Sequence, residues 1–533
     1  MPEHHPAEVA GNPYHWLAPV VSIFAAGLAL AGAWLRPVWH DELYTLALAR
    51  LPVTELVSAL LVDSGPPLHY LLCHLLFMVI GWQEGSMLGT LLVRLPSVIA
   101  FGLLPWVVWR ARPANGRMFF WGPLLLISWL PLLYFGIEAR AYALLALINA
   151  VLWIRGPAWI ERGGRWIWFF AALAACLPLL HYAGAASLLL LPALAFCVTP
   201  ARRRALFIAL AGSLVPILAW SPIVLDAPRA SMGWLSTLAG PGRPGAASIS
   251  VLAPAGPFPA LFEVSATLVP PWLSVVVLTV LIGAAVTGGF FLRAKPEVEG
   301  DRLPTVVRLA IGLAPAVLLG AAALVGVPLY FAGRTEALVW AIAAALVATL
   351  ITGLPSAVRH VAAGLYVAVG LTTIALWFGS MPTRPPSPGI EVGQALAPMV
   401  EEGDRIVVIG LWQLEVRHGL AREKQEGAAG STRIADVETL PRSQAGHPGW
   451  FDDEAVTSPH LLDEATRLAE RVAADQGRVW LVSSPTLPLG DNVLPAFDGW
   501  QRAPVAGSPI ITVDLLVPPA AEATATMDGE VVR

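Results

Sequence analysis

Side chains able to do chemistry recur in this chain beside long apolar runs. Trp39-His40-Asp41-Glu42 follows the first run, and Asp63-Ser-Gly-Pro66-Pro67-Leu-His69-Tyr70 comes soon after. Next are Arg94-Leu-Pro96-Ser97, Tyr134-Phe-Gly-Ile-Glu138-Ala-Arg140-Ala-Tyr142 and His181-Tyr182. Much later comes Pro328-Leu-Tyr330-Phe-Ala-Gly-Arg334. Carboxylates can accept protons from reacting groups. A guanidinium can grip anionic oxygens through a planar fork and stays charged in a partly dry site. Chemistry of that kind needs elements that bring distant segments to one place.

Composition says which elements these are. Of 533 residues, 56% are hydrophobic and 13% charged, where soluble domains carry about 25% charged residues. With a mean hydropathy of +0.67, lipid is the solvent for most of the chain. From Pro382 onward there are about 22 acidic and 12 basic residues against an overall charge of −4, so a basic body precedes an acidic, solvated tail. Cys73, Cys176 and Cys197 form no spacing pattern and imply neither disulfides nor a metal site. The first apolar run lacks a basic leader and a small-residue cleavage site, so it reads as a retained span.

Hydropathy predicts spans near 16–35, 91–109, 118–135, 141–155, 166–180, 184–199, 205–221, 272–292, 307–327, 335–352 and 361–379. The stretch 67–80 is too short to cross and opens Gly-Pro-Pro, which suits a re-entrant or interfacial helix. With the N-terminus cytoplasmic and 67–80 not crossing, the Arg-rich joints from Arg110 to Arg359 share the cytoplasmic face. Asp41, Glu42, Asp63, Glu138, Arg140, Tyr142, His181, Tyr182, Asp226, Arg229 and Arg334 then gather on the other side. The expected location is an inner or plasma membrane, with the tail extracytoplasmic.

The expected fold is an all-α polytopic membrane domain, about eleven spans plus the re-entrant helix, with a small C-terminal soluble α/β domain. The expected boundaries are 1–380, a Pro-rich linker at 381–392, and 393–533 with a disordered end. In the tail, Arg405 to Gly410, Arg478 to Val482 and Ile510 to Val517 read as strands. Ser458-Pro459 opens a helix that carries Leu461, Leu462, Ala465, Leu468 and Val472. The loop from about Ser221 to Glu263 is long and rich in Pro and Gly, and is read as a lid.

In their order and spacing, the motifs quoted above resemble those of the GT-C superfamily of polyprenyl-phosphate-sugar-dependent transferases. That group includes protein O-mannosyltransferases and the lipid A aminoarabinose transferase. The likeness covers roughly residues 15 to 380. It departs at Gly65, where the family usually has His before Pro-Pro, and at Arg334-Thr335, where Arg-Tyr is usual.

The resemblance implies a glycosyltransferase that moves a hexose or pentose from a polyprenyl-phosphate donor to an extracytoplasmic glycan, lipid or protein by single displacement with inversion. It makes Asp41 the base, with Glu42 orienting it or binding acceptor. Asp63, His69, Tyr70, Arg94, Glu138, Arg140, Tyr142, His181, Tyr182 and Arg334 become substrate-binding residues. Membrane lipid is an expected partner and nucleic acid is not. No cofactor is firmly implied, although Asp41, Glu42, Asp63 and Glu138 are the type of oxygen ligands that hold a divalent cation in the metal-dependent oligosaccharyltransferase branch. The competing class is a transporter or flippase of a lipid-linked substrate. Such proteins keep ionisable groups near the midplane and show internal repeats, neither of which is evident here.

Overall fold

The computed structural model describes residues 16–63, 65–81, 85–111, 120–226, 271–293, 305–324, 334–381, 386–410, 412–425, 436–441, 460–484, 492–507 and 511–519. It divides into two compact units. One comprises Met1–Arg36, Leu48–Gly81 and Thr90–Arg384; the other comprises Pro37–Ala47, Trp82–Gly89 and Pro385–Arg533. The second unit therefore contains two short pieces from between the early helices as well as the tail.

In chain order the first helices are α1 (Leu17–Leu35), α2 (His40–Ala49), α3 (Val53–Asp63), α4 (Leu68–Ile80) and α5 (Met87–Trp109). Next come α6 (Trp121–Ile127), α7 (Leu130–Gly136), α8 (Tyr142–Arg162), α9 (Arg165–Leu180) and α10 (Gly184–Leu190). They are followed by α11 (Pro200–Asp226), α12 (Pro271–Arg293), α13 (Thr305–Leu324), α14 (Arg334–Ile351) and α15 (Ser356–Ser380). Among the described residues, seven helices are long and apolar enough to cross a membrane, namely α1, α5, α8, α11, α13, α14 and α15. The chain is a multi-pass membrane protein. Three further anticipated spans appear as shorter apolar helices over 165–180, 184–196 and 276–291, while α4 has 13 residues, as its length in the sequence suggests. The lid expected after Ser221 lies, beyond Asp226, outside the described residues.

The span expected over 118–135 is not a single helix. It breaks into α6 and α7 at Ser128 and Trp129, just ahead of Pro131. Proline has no N–H to donate, and its ring collides with the preceding turn. Irregular backbone at membrane depth survives where protein surrounds it, and every residue from 125 to 139 is buried. Trp129 packs, tilted, against Trp340 of α14 at 4.5 Å between ring centroids, and Asn149 of α8 donates to the Leu338 carbonyl at 2.9 Å. Small residues on α14, including Ala341, Ala344, Ala345 and Ala348, are buried and allow this close helix packing.

In the second unit, α16 (Pro388–Leu396), α17 (Gln413–Gln425) and α18 (His460–Ala474) accompany five strands. These are β1 (Arg405–Ile409), β2 (Asp436–Leu440), β3 (Val479–Ser483), β4 (Gln501–Gly507) and β5 (Thr512–Val517). Pro388 opens α16 within the segment expected to be a linker. The sheet order is β2-β1-β3-β5-β4, parallel from β2 to β3 and antiparallel on to β4. Alternate residues of a strand point to opposite faces. Val407 and Ile409 accordingly join the Leu461, Leu468 and Val472 side of α18, while Ile406 and Val408 join Leu396, Val416 and Leu420 of α16 and α17. Helices thus cover both faces of the sheet.

Candidate functional site

The first unit's site begins where α1 ends. Arg36 is buried, its Nη2 lying 3.1 Å from Glu138 Oε1 and its guanidinium carbon 3.8 Å from the Tyr134 ring centroid. Arg94 of α5 is fully buried and donates from Nη1 to the Ala33 and Arg36 carbonyls at 2.5 and 2.9 Å. Carbonyls in the last turn of a helix have no partners within the helix, so Arg94 caps α1. This fixes the point from which the chain leaves toward Asp41, five residues past Arg36.

Glu138 and Arg140 lie on the short irregular segment between α7 and α8. Ser97 of α5 donates to the Arg140 carbonyl at 2.8 Å, so the backbone there is held from the side. The Arg140 side chain reaches α4, where Nη1 donates to Tyr70 Oη at 3.2 Å. Arg140 also lies close enough to His69 and His181 to act on both electrostatically, and Arg334 acts on His181 as well. His69 itself is buried, with Nε2 3.7 Å from Cys73 Sγ.

Tyr142, the first residue of α8, joins the remaining parts. Its ring lies 5.4 Å from that of His181, and the Arg334 guanidinium carbon lies 5.5 Å from its centroid. His181 sits in extended conformation just past α9, and its Nδ1 accepts the Ala183 backbone N–H at 3.1 Å. A backbone N–H can only donate, so Nδ1 carries no proton and Nε2 carries the one on this neutral ring. His181 therefore offers a donor beside two arginines. The turn requires Gly184, where a Cβ would run into the Leu177 carbonyl.

His69, Tyr70, Arg140, Tyr142, His181 and Arg334, read from the sequence as site residues, thus share one neighbourhood in the first unit. Tyr182 lies in the same turn as His181, its carbonyl accepting from Ala185. The backbone of Asp63 ends α3, and its side chain lies outside the described residues. Glu138 pairs with Arg36, a residue that the sequence reading did not single out. Its signal is an arginine set directly at the end of the first apolar run. Among the described residues, no three His, Cys, Asp or Glu side chains group as a metal site.

Asp41 and Glu42 belong to the second unit. Both stand in the first turn of α2, where the helix dipole favours negative charge; Asp41 is half-buried and Glu42 fully buried. His40 Nδ1 lies 3.9 Å from Oε1 of the buried Glu415 on α17. The backbone of Ala421 and Arg422 leaves no room for a Cβ at Gly85. The tail thus packs on the two early pieces that it shares a unit with. Sequence reading found no role for the tail, because nothing in its own motifs points to residue 40.

No family model and no curated protein sequence matches the chain. Among solved structures, it is similar to the crystal structure of ArnT from Cupriavidus metallidurans in the apo state. The TM-score is 0.56 at 12% identity, over 93% of this chain and 97% of that one. The two chains share a fold. The shared fold takes in both the membrane helices and the small C-terminal sheet domain, because the match spans nearly the whole chain.

Proposed function

We propose that the chain is a membrane glycosyltransferase that moves a sugar from a polyprenyl-phosphate donor to an extracytoplasmic acceptor by a single inverting displacement. The observation that carries this reading is the convergence of Arg140, Arg334, Tyr142, His181 and Tyr70 from α4, α8, α9, α14 and the α7–α8 segment. Two guanidinium groups, a histidine N–H and aromatic faces suit a phosphate joined to a sugar. A lipid phosphate leaves as a stable anion, so the reaction needs a base but no general acid, unlike glycoside hydrolysis with its paired carboxyls.

Asp41 is the proposed base, accepting the proton of the acceptor hydroxyl as its oxygen attacks the anomeric carbon. The bond from that carbon to the phosphate oxygen breaks, and its electrons leave with the polyprenyl phosphate. Arg334 is the proposed phosphate clamp, with Arg140 beside it. The test supplies the purified chain with a panel of polyprenyl-phosphate sugars and follows release of the carrier phosphate. Asp41→Asn should abolish release in a folded protein, and Arg334→Ala should chiefly impair donor use. Full turnover by Asp41→Asn rejects the base, and unchanged donor kinetics in Arg334→Ala reject the clamp.

A further inference from the structure

A second convergence of arginines lies at the far ends of the helices that carry the site. Arg110 follows the last residue of α5, Arg155 lies two turns before the end of α8, and Arg308 lies in the first turn of α13. Tyr142 starts α8, so Arg155 stands ~20 Å further along the helix axis than the cluster described above. Arg110 and Arg308 both repel Arg155. Arg155 and Arg308 are half-buried, Arg308 Nε is shielded without a hydrogen-bond acceptor, and Arg110 lies over the Trp106 ring at 4.9 Å.

No described carboxylate offsets them. Glu161, the acid at this end of α8, accepts the Thr199 backbone N–H and, at 3.1 Å, its hydroxyl. The preference for basic residues on one membrane face explains how many arginines are here but not why three converge. Others on this face have neutral partners within the chain: Arg162 and Arg165 lie over the Trp166 ring, and Arg203 donates to the Ala195 carbonyl. Like charges brought together and partly withdrawn from water cost free energy that a bound anion recovers.

We propose that Arg110, Arg155 and Arg308 form an anion site that takes a phosphate group at the membrane face opposite the sugar-transfer cluster. Guanidinium forks match phosphate oxygens, and the place, at helix ends beside Trp106, is at the depth of lipid headgroups. An acidic phospholipid and free inorganic phosphate present the same chemistry.

The test uses the full chain, delipidated in neutral detergent, with thermal shift and native mass spectrometry. The probes are phosphatidylglycerol, phosphatidylcholine and inorganic phosphate. Phosphatidylglycerol should bind and stabilise in preference to phosphatidylcholine. The double variant Arg155→Gln/Arg308→Gln should weaken this at least ~tenfold, as the loss of charged hydrogen bonds requires. Arg204→Gln, which removes an exposed charge from the same face, should leave it unchanged. If inorganic phosphate alone gives the shift with the same dependence, the site is confirmed with a soluble anion as its ligand. Equal binding by the double variant, or an equal loss in Arg204→Gln, overturns the proposal. Ligand-free Arg155→Gln should melt no lower than the unmodified protein, because it relieves repulsion; a clear fall would make Arg155 a structural residue and overturn the site as well.

Discussion

Arg36 and Glu138, 102 residues apart in sequence, form a buried ion pair at 3.1 Å that joins the end of the first span to the irregular segment before α8. Arg36 also donates to the Tyr134 carbonyl at 3.4 Å and covers its ring, so one guanidinium fixes three features of that segment. Arg140 and Tyr142 follow within four residues of Glu138. Their positions depend on this anchor.

A buried pair is costly to break from one side, because the charge left behind has lost both water and its partner; removal of one member costs roughly 3–5 kcal/mol. Glu138→Ala should therefore lower the thermal stability of the purified protein by about that much and reduce donor turnover with it. Arg36→Met combined with Glu138→Leu should restore most of the stability, since neither residue then carries charge. A single variant as stable as the parent would show that the pair contributes nothing.

Glu415 sets a pH dependence for the second unit. Burial pushes its carboxyl up from 4.5 to about 7, against the lowering influence of Ser387 and the Gly389 backbone. A carboxyl with a raised folded value holds its proton more tightly folded than unfolded. Its contribution is therefore present at low pH and is lost as pH rises from about 4.5 to about 7. Hydrogen exchange at β1 and α17 in the full chain should accelerate across this window beyond the intrinsic chemical rate. Glu415→Gln should flatten the excess and slow exchange at pH 8. The same excess in the variant would remove Glu415 as its source.

Asp404 works in the opposite sense and in another window. Burial alone would raise it, yet Arg478, Trp480 Nε1 and the Glu401 backbone N–H bond its two oxygens and hold it below the usual carboxylate range. Stability from this group is present above the ordinary carboxylate value and fades as pH falls through the lowered folded one. Asp404→Asn should weaken protection of β1 and β3 at neutral pH and remove their extra loss at acid pH. Acid exchange profiles identical to the parent's would exclude this role.

The membrane architecture was largely legible because hydropathy measures length and apolarity, the quantities a bilayer selects. It does not register Pro131 splitting an apolar run whose surroundings stay buried. The central strands β1 and β3 were readable as buried runs of Val, Ile, Leu and Trp. β4, at the sheet edge with Pro504 and mostly exposed, and β2 at the other edge, with Asp436 and Glu438, lack that signature. Within the site, residue types were legible and partners were not. Arg94 reads as a substrate contact by motif, while its Nη1 bonds are made to α1 carbonyls. Arg36 was passed over as the residue that merely ends a span. Pairing across 102 positions is decided by the packing of helices, which one sequence does not display.

The tautomer of His181 separates two uses of its ring. Nδ1 is occupied by the Ala183 N–H, which leaves Nε2–H as the ring's donor beside Arg140 and Arg334. In Asn, the side-chain oxygen can replace Nδ1 as the acceptor of that turn, but nothing replaces the Nε2 donor. Gln carries its amide nitrogen about as far out as Nε2. His181→Asn should therefore keep its melting temperature and lose roughly ten- to a hundredfold in kcat/KM for the donor, the worth of one hydrogen bond to a charged group. His181→Gln should retain more of that activity. Polyprenyl-phosphate-sugar turnover by both variants decides the matter: if Asn and Gln lose activity equally while both stay folded, the ring serves packing against Tyr142 at 5.4 Å and not donation to the phosphate.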